Sequence, residues 1–208
     1  MYSLGHLAIG YLVAKFFGRN HEIDIPIVLS ASLLPDLDII IPNIPHRGPT
    51  HSIVVAFLLL VPVFYYWKTN IFIYYSAYAS HIVADLVAGS VNGRSQLLWP
   101  YIDRWIILYP KLIMGSDKEA AVEITILIIA MMVLWITKDY KKLIRYKNTN
   151  FLLFFPCAVV LMSFLLGYYY GDSMIPSLFN IPHLLVMVLM IIILSINIYL
   201  FNISRSVQ

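Results

Sequence analysis

Three short stretches gather most of the side chains in this chain that could do chemistry. LPDLDIIIPNIPHRGPTHS, residues 34–52, holds Asp36, Asp38, His46, Arg47 and His51 between apolar runs. SHIVADL, residues 80–86, sets His81 and Asp85 four apart, so on a helix both share one face. SLGHLAIG, residues 3–10, adds His6 between Gly5 and Gly10, small residues that would let a second helix approach closely. Imidazoles and carboxylates without thiolates suit a hard or borderline divalent cation, Zn²⁺ or Mn²⁺ rather than a soft metal. Four histidines and three aspartates are enough for one or two ions, with His6, Asp36, His46, His51, His81 and Asp85 as candidate ligands. A carboxylate not used as a ligand, Asp38, is then the candidate general base. Arg47, whose planar fork suits a phosphate oxygen, is the candidate anion holder, with equal weight on an ion pair to Asp36 or Asp38. Taken alone, HxxxD reads equally well as a metal half-site and as a His–Asp bond that joins helices.

The elements that must carry these groups belong to a membrane. The 208 residues are 61% hydrophobic and only 12% charged, with a mean hydropathy of +0.81. A soluble domain carries roughly twice that charge fraction. The reading is an all-α, multi-pass membrane bundle forming one domain over 1–208, with a motif-bearing half at 1–110 and C-terminal transmembrane helices at 119–204. The first apolar stretch, interrupted by His6 and Lys15 and lacking a small-residue cleavage site, does not read as a cleavable signal. One cysteine, Cys157, leaves neither an internal disulfide nor a thiolate zinc site. A net charge of +3, widely scattered, excludes nucleic acid as the expected partner.

A crossing helix needs ~20 apolar residues. Stretches 148–171 and 173–204 meet that length, as does 120–137, despite Glu123. Ser52 to Trp67, with a kink expected at Pro62, and Thr69 to Ala84 are marginal. Helices at 3–17 and 25–34 are too short to cross unaided, and no strand is suggested. Lys138, Lys141, Lys142, Arg145 and Lys147 mark the loop before Asn148 as cytoplasmic. Counting outward from it places the Trp67–Asn70 turn inside and residues 36–51, 86–119 and 171–181 outside, so the candidate ligands share the extracytoplasmic level. Tyr65, Tyr66, Tyr74, Tyr75 and Tyr168 to Tyr170 sit at helix ends, as an aromatic belt would. His183 reads as an interfacial residue, His21 as a solvated loop residue, Glu123 as a buried partner for a Tyr or Arg, and Asp103 with Arg104 as a surface pair.

GH at 5–6, LPDLD at 34–38, HRGPTHS at 46–52, ASHIVADL at 79–86 and LLWP at 97–100 resemble the LexA-regulated, membrane-bound metal-dependent hydrolases, the YdjM-like inner-membrane proteins. The resemblance covers roughly residues 1–110. That family is distantly similar to the all-helical, zinc-dependent phospholipase C and nuclease group. The group's ligand order falls here on His6, Asp36, His51, His81 and Asp85. Ile39 stands where relatives often carry a histidine, and no second HxxxD/E follows, which argues against a three-ion cluster. The resemblance implies a hydrolase, and a site at the membrane edge implies an anionic amphiphile as substrate, a phospholipid or isoprenoid phosphate. The competing class is an ion or proton transporter or channel using His81 and Asp85. It would need ionisable groups continuing across the bilayer, and the inner helix halves lack them. A third reading is a structural protein with a vestigial metal site.

Overall fold

The computed structural model describes residues 1–19, 21–41, 43–67, 71–89, 94–107, 112–113, 116–145, 147–169 and 177–206. The helices are α1 (Ser3–Phe17), α2 (Ile25–Leu33), α3 (Ile53–Trp67), α4 (Ile71–Val87), α5 (Asp117–Ile136), α6 (Tyr140–Ile144), α7 (Phe154–Tyr169) and α8 (Ser177–Ser206). The 67–70 turn beyond Trp67, Lys111, Tyr170 and residues 171–176 lie outside the described residues, as do the side chains of Tyr168 and Tyr169.

α1 is the axis, packed on α2, α4 and α5. Its glycines make those approaches possible. A Cβ at Gly10 would overlap Ser32 of α2, and one at Gly5 would lie 2.9 Å from Glu123 Oε2 on α5. Ala8, Tyr11 and Ala14 carry the core onward along α1, clustering with Ile25, Val28, Tyr74, Ala77 and Tyr78. His6 lies near one end of α1 and Lys15 near the other, nine residues or roughly 13 Å apart. Lys15 reaches Asp139 at 2.9 Å just beyond α5, while Glu123 near the start of α5 meets the start of α1. The two helices therefore run in the same direction, and the histidine cluster and the basic 138–147 segment occupy opposite ends.

Two described helices are long and apolar enough to cross a membrane, Asp117–Ile136 and Pro182–Asn202. Their outer faces present Ile128, Met132, Trp135, Leu185, Val188 and Ile192. Surface of that kind is stable against hydrocarbon rather than water. α1, α3, α4 and the 148–163 stretch are shorter apolar helices.

The structure corrects the sequence reading in two places. Residues 148–153 form a 3-10 turn instead of opening a continuous helix. There Thr149 donates to Asp24 and Asn150 to the Arg145 carbonyl, local bonds that compete with helical ones. Four two-residue strands also occur between α4 and α5. Ala88–Gly89 pairs in parallel with Leu112–Ile113, and Arg94–Ser95 antiparallel with Ile106–Ile107. Pairings that short leave no alternation to read. α3 continues through Pro62.

Candidate metal centre

Each element presents its ligands for a local reason. Pro35 opens the 3-10 turn Leu34–Ile39 that follows α2 and places Asp36 and Asp38 in the interior. Pro49 does the same for the turn Pro49–His51, which buries His51 completely. His81 and Asp85 lie one turn apart near the end of α4, where packing against α1 covers both.

Asp36 Oδ1, His51 Nε2 and His81 Nε2 group closely enough to hold one ion, and Asp85 Oδ2 adjoins both nitrogens. Asp36 Oδ1 is 3.5 Å from His81 Nε2 and 4.0 Å from His51 Nε2. Asp85 Oδ2 is 3.5 Å from His51 Nε2 and 3.8 Å from His81 Nε2. Tetrahedral donors at ~2.0–2.2 Å from an ion are separated by roughly 3.3–3.6 Å, close to these carboxylate–imidazole distances. Both imidazole Nε2 atoms are buried without a hydrogen-bond partner, a costly state for a nitrogen that nothing coordinates. The far side of each ring is committed. His81 Nδ1 lies 2.7 Å from the Ser32 carbonyl, to which it must donate, and this leaves the Nε2 lone pair for a cation. His51 Nδ1 faces Asp38 Oδ2 at 3.4 Å and the Thr50 hydroxyl at 3.3 Å.

His6 completes a second face. Its Nε2 is 3.2 Å from Asp85 Oδ1, the oxygen turned away from His51, and its ring stacks on His81 at 3.6 Å. His81 thus belongs to two groups of possible ligands, one with Asp36 and His51 and one with His6 and Asp85. A third group, Asp38, His46 and His51, adjoins them. The residues present could hold one divalent ion, whereas His6 Nε2 also lies 3.2 Å from the Met1 carbonyl.

Asp38 differs from its expected part as an open base. Oδ2 accepts the Arg47 amide at 3.0 Å and the Thr50 hydroxyl at 2.8 Å, and Oδ1 meets His46 Nδ1 at 3.0 Å. Burial raises its pKa, but the bonds to His46 and His51 outweigh that and hold the carboxyl well below the usual range. So saturated and acidic a carboxylate is a poor proton acceptor. His46, expected among the ligands, is bound to Asp38 through Nδ1 and leaves its half-exposed ring open at the other edge. Arg47 pairs with neither Asp36 nor Asp38 through its side chain. Its Nε lies 3.2 Å from Asp85 Oδ2. The backbone at Arg47 is left-handed, φ 64°, a conformation that disfavours most side chains. The amide bond to Asp38 and a 3.1 Å bond from the Gln96 amide to the Arg47 carbonyl hold it there.

Charge inside the turns follows from these contacts. Burial opposes ionisation of Asp36, yet neighbouring His81, His6 and His51 keep its pKa down at about 2. Burial likewise disfavours a charged His51, but Asp38, Asp85 and Asp36 raise it to about 9.

Sequence reasoning expected a buried Glu123 but missed Glu119, which completes an acidic underside to this site. Glu119 and Glu123, one turn apart on α5, are both fully buried. Glu119 Oε1 lies 3.7 Å from the Met1 ammonium, which also meets Asp85 Oδ1 at 3.4 Å. Glu123 Oε1 accepts the Tyr2 amide at 2.7 Å, in place of the Tyr or Arg side chain expected for it. The signal available was the i, i+4 spacing of two carboxylates in an apolar helix. His183 is buried edge-on to Tyr2, at a centroid distance of 6.3 Å, and His21 is exposed. Asp103 accepts from Gln96 instead of pairing with Arg104.

The model of the YdjM inner membrane protein family matches residues 1–171, and the chain belongs to that family. The match extends past the motif-bearing 1–110 region into α7. No curated protein and no solved structure matches the chain.

Proposed function

We propose that this member of the YdjM inner membrane protein family is a metal-dependent hydrolase acting on a phosphoester of a lipid or other anionic amphiphile. The observation that carries the reading is the convergence of Asp36 Oδ1, His51 Nε2, His81 Nε2 and Asp85 Oδ2, with both nitrogens lacking any other partner. These four residues would hold one Zn²⁺ or Mn²⁺, and His6 with Asp85 Oδ1 would contribute to a second. A divalent ion bound there supplies a water of near-neutral pKa and a polarised phosphoester oxygen.

The chain's own groups do the rest. His46, with its Nδ1–H fixed on Asp38, takes the water's proton at Nε2 as the water oxygen attacks phosphorus. The ester P–O bond breaks, and the protonated ring returns that proton to the departing alkoxide. Asp38 acts through His46 and His51, orienting both rings. Arg47, released from or shared with Asp85, binds the nonbridging phosphoryl oxygens with its planar fork.

In this reading the bundle is multi-pass, with the shorter apolar helices completing what α5 and α8 begin. The basic 138–147 segment faces the cytoplasm, so the metal centre at the opposite end of α1 faces outward, at the depth where a lipid head group reaches it. The test is hydrolysis of lipid and isoprenoid phosphates in liposomes with added Zn²⁺ or Mn²⁺, following phosphate or head-group release. Turnover by the wild type and none by Asp85→Ala supports the proposal. Proton or metal flux that His81→Ala abolishes, without any turnover, replaces it with a transporter.

A further inference from the structure

The end of the bundle far from the metal centre has a use of its own. The 138–147 segment carries Lys138, Lys141, Lys142, Arg145 and Lys147 against one acid, Asp139. Asp139 is consumed by Lys15 at 2.9 Å, Lys142 at 3.0 Å and the Tyr11 hydroxyl at 2.9 Å. Lys147 pairs with Asp24, which also accepts from Thr149. Among the described residues Lys138, Lys141 and Arg145 make no ion pair, and Lys141 and Arg145 are exposed.

Two cavities meet beside these cations. One, of about 310 Å³, is bounded by Glu22, Asp24, Pro26, Lys142, Arg145 and Lys147. The other, of about 360 Å³, is an apolar groove between the 148–153 turn and α8, bounded by Lys147, Phe151, Phe154, Leu194, Ile198 and Phe201. Lys147 borders both, so a charged pocket lined by three basic and two acidic side chains lies beside an apolar groove. Their level is marked independently. Trp135 and Tyr140 stack at 5.1 Å, and Trp135 and Tyr199 are exposed at this same end, as aromatic side chains are where hydrocarbon gives way to head groups.

We infer that this junction seats an anionic phospholipid, its phosphate on Arg145 beside Lys141, and one acyl chain in the groove against α8. Arg145 offers the bidentate fork that phosphate accepts best, and the neighbouring lysines add the field that draws anionic lipid to basic segments beside a spanning helix. The groove supplies what a free phosphate could not use. The binding would tie α6 and the 148–153 turn to α8 at the inner surface, and it is independent of any chemistry at the metal centre.

The experiment is native mass spectrometry of the full chain in detergent, titrated with dioleoyl phosphatidylglycerol, dioleoyl phosphatidylcholine and glycerol 3-phosphate. The expected result is at least a tenfold preference for phosphatidylglycerol over phosphatidylcholine, falling with salt, and no retention of glycerol 3-phosphate. Lys141→Gln with Arg145→Gln should erase the preference, while Arg145→Lys keeps part of it. Ile198→Trp should weaken both lipids together by filling the groove. Thermal unfolding of each variant in the same detergent identifies any that fails to fold, and Arg145→Lys, the mildest, then decides the question. Equal affinity for the two lipids, or a preference unchanged in the double variant, overturns the inference.

Discussion

His46 Nδ1 lies 3.0 Å from Asp38 Oδ1, and that bond fixes which edge of the ring is left to accept a proton. His46→Gln should therefore lower kcat roughly 100-fold or more, the size of a lost general acid–base group, while metal content stays near wild type. Asp38→Asn should cost roughly 10- to 100-fold through the loosened rings, again with most of the metal kept. In both variants the acid limb of the pH–rate profile should shift or vanish. Loss of the metal from His46→Gln would instead make His46 a ligand.

Arg47 Nε, 3.2 Å from Asp85 Oδ2, ties anion binding to the ligand set. Arg47→Lys keeps the charge and loses the fork, so KM for an anionic amphiphile should rise about tenfold with a smaller change in kcat. A change confined to kcat would show that Arg47 does not hold the substrate.

At the other end, burial raises the pKa of Asp139, but Lys15 and Lys142 outweigh it and lower the pKa to about 2. A depressed carboxyl contributes stability that is present above its unfolded pKa, near 4, and is lost as pH falls toward 2. Water around the half-exposed Lys142 limits the effect to about 1–2 kcal/mol. Melting in detergent should show Asp139→Asn less stable at pH 7 and the difference closing below pH 4. A difference that persists unchanged at low pH would assign the effect to packing.

Gly10 and Ser32 mark the tightest approach of α1 to α2, and the Ser32 carbonyl also orients His81. Gly10→Ala should destabilise the protein by roughly 1–3 kcal/mol through overpacking and weaken metal binding as the Ser32–His81 bond shifts. Adding Ser32→Gly should recover part of the stability, a coupling readable in a double-mutant cycle. Additive losses would mean the two helices do not meet there.

Orientation is open to direct labelling. In a Cys157→Ser background, Asn43→Cys and Asn148→Cys should react with an impermeant thiol reagent from opposite sides of the membrane. Labelling of Asn43→Cys only after lysis would place the metal centre on the cytoplasmic side.

The longer helices and the ligand-bearing motifs were legible because each rests on a local pattern, apolar length or i, i+4 spacing. The convergence of His51 with His81, 30 positions apart, could be anticipated only through order and membrane level. Roles were harder. Whether Asp38 is open or saturated depends on where the Thr50 hydroxyl and the Arg47 amide point, and spacing says nothing of that. Glu119 escaped because its partner is the terminus at Met1, more than 110 residues away in sequence, and the backbone contact of Glu123 at Tyr2 was hidden for the same reason. The short strands after α4 hold too few residues for any alternation to show, and at 148–153 the long apolar stretch that follows masked the competing local bonds of Thr149 and Asn150.

The central claim is that Asp36, His51, His81 and Asp85 hold a divalent ion. Elemental analysis of the purified chain, after removal of loosely bound metal, tests it directly against His81→Ala prepared in parallel. The account predicts one or two equivalents of zinc or manganese in the wild type, with a nitrogen and oxygen coordination shell at ~2.0–2.2 Å by X-ray absorption, and loss of the tightly held ion in His81→Ala. A folded wild type that retains no metal, or a His81→Ala chain that retains the full complement, would contradict it.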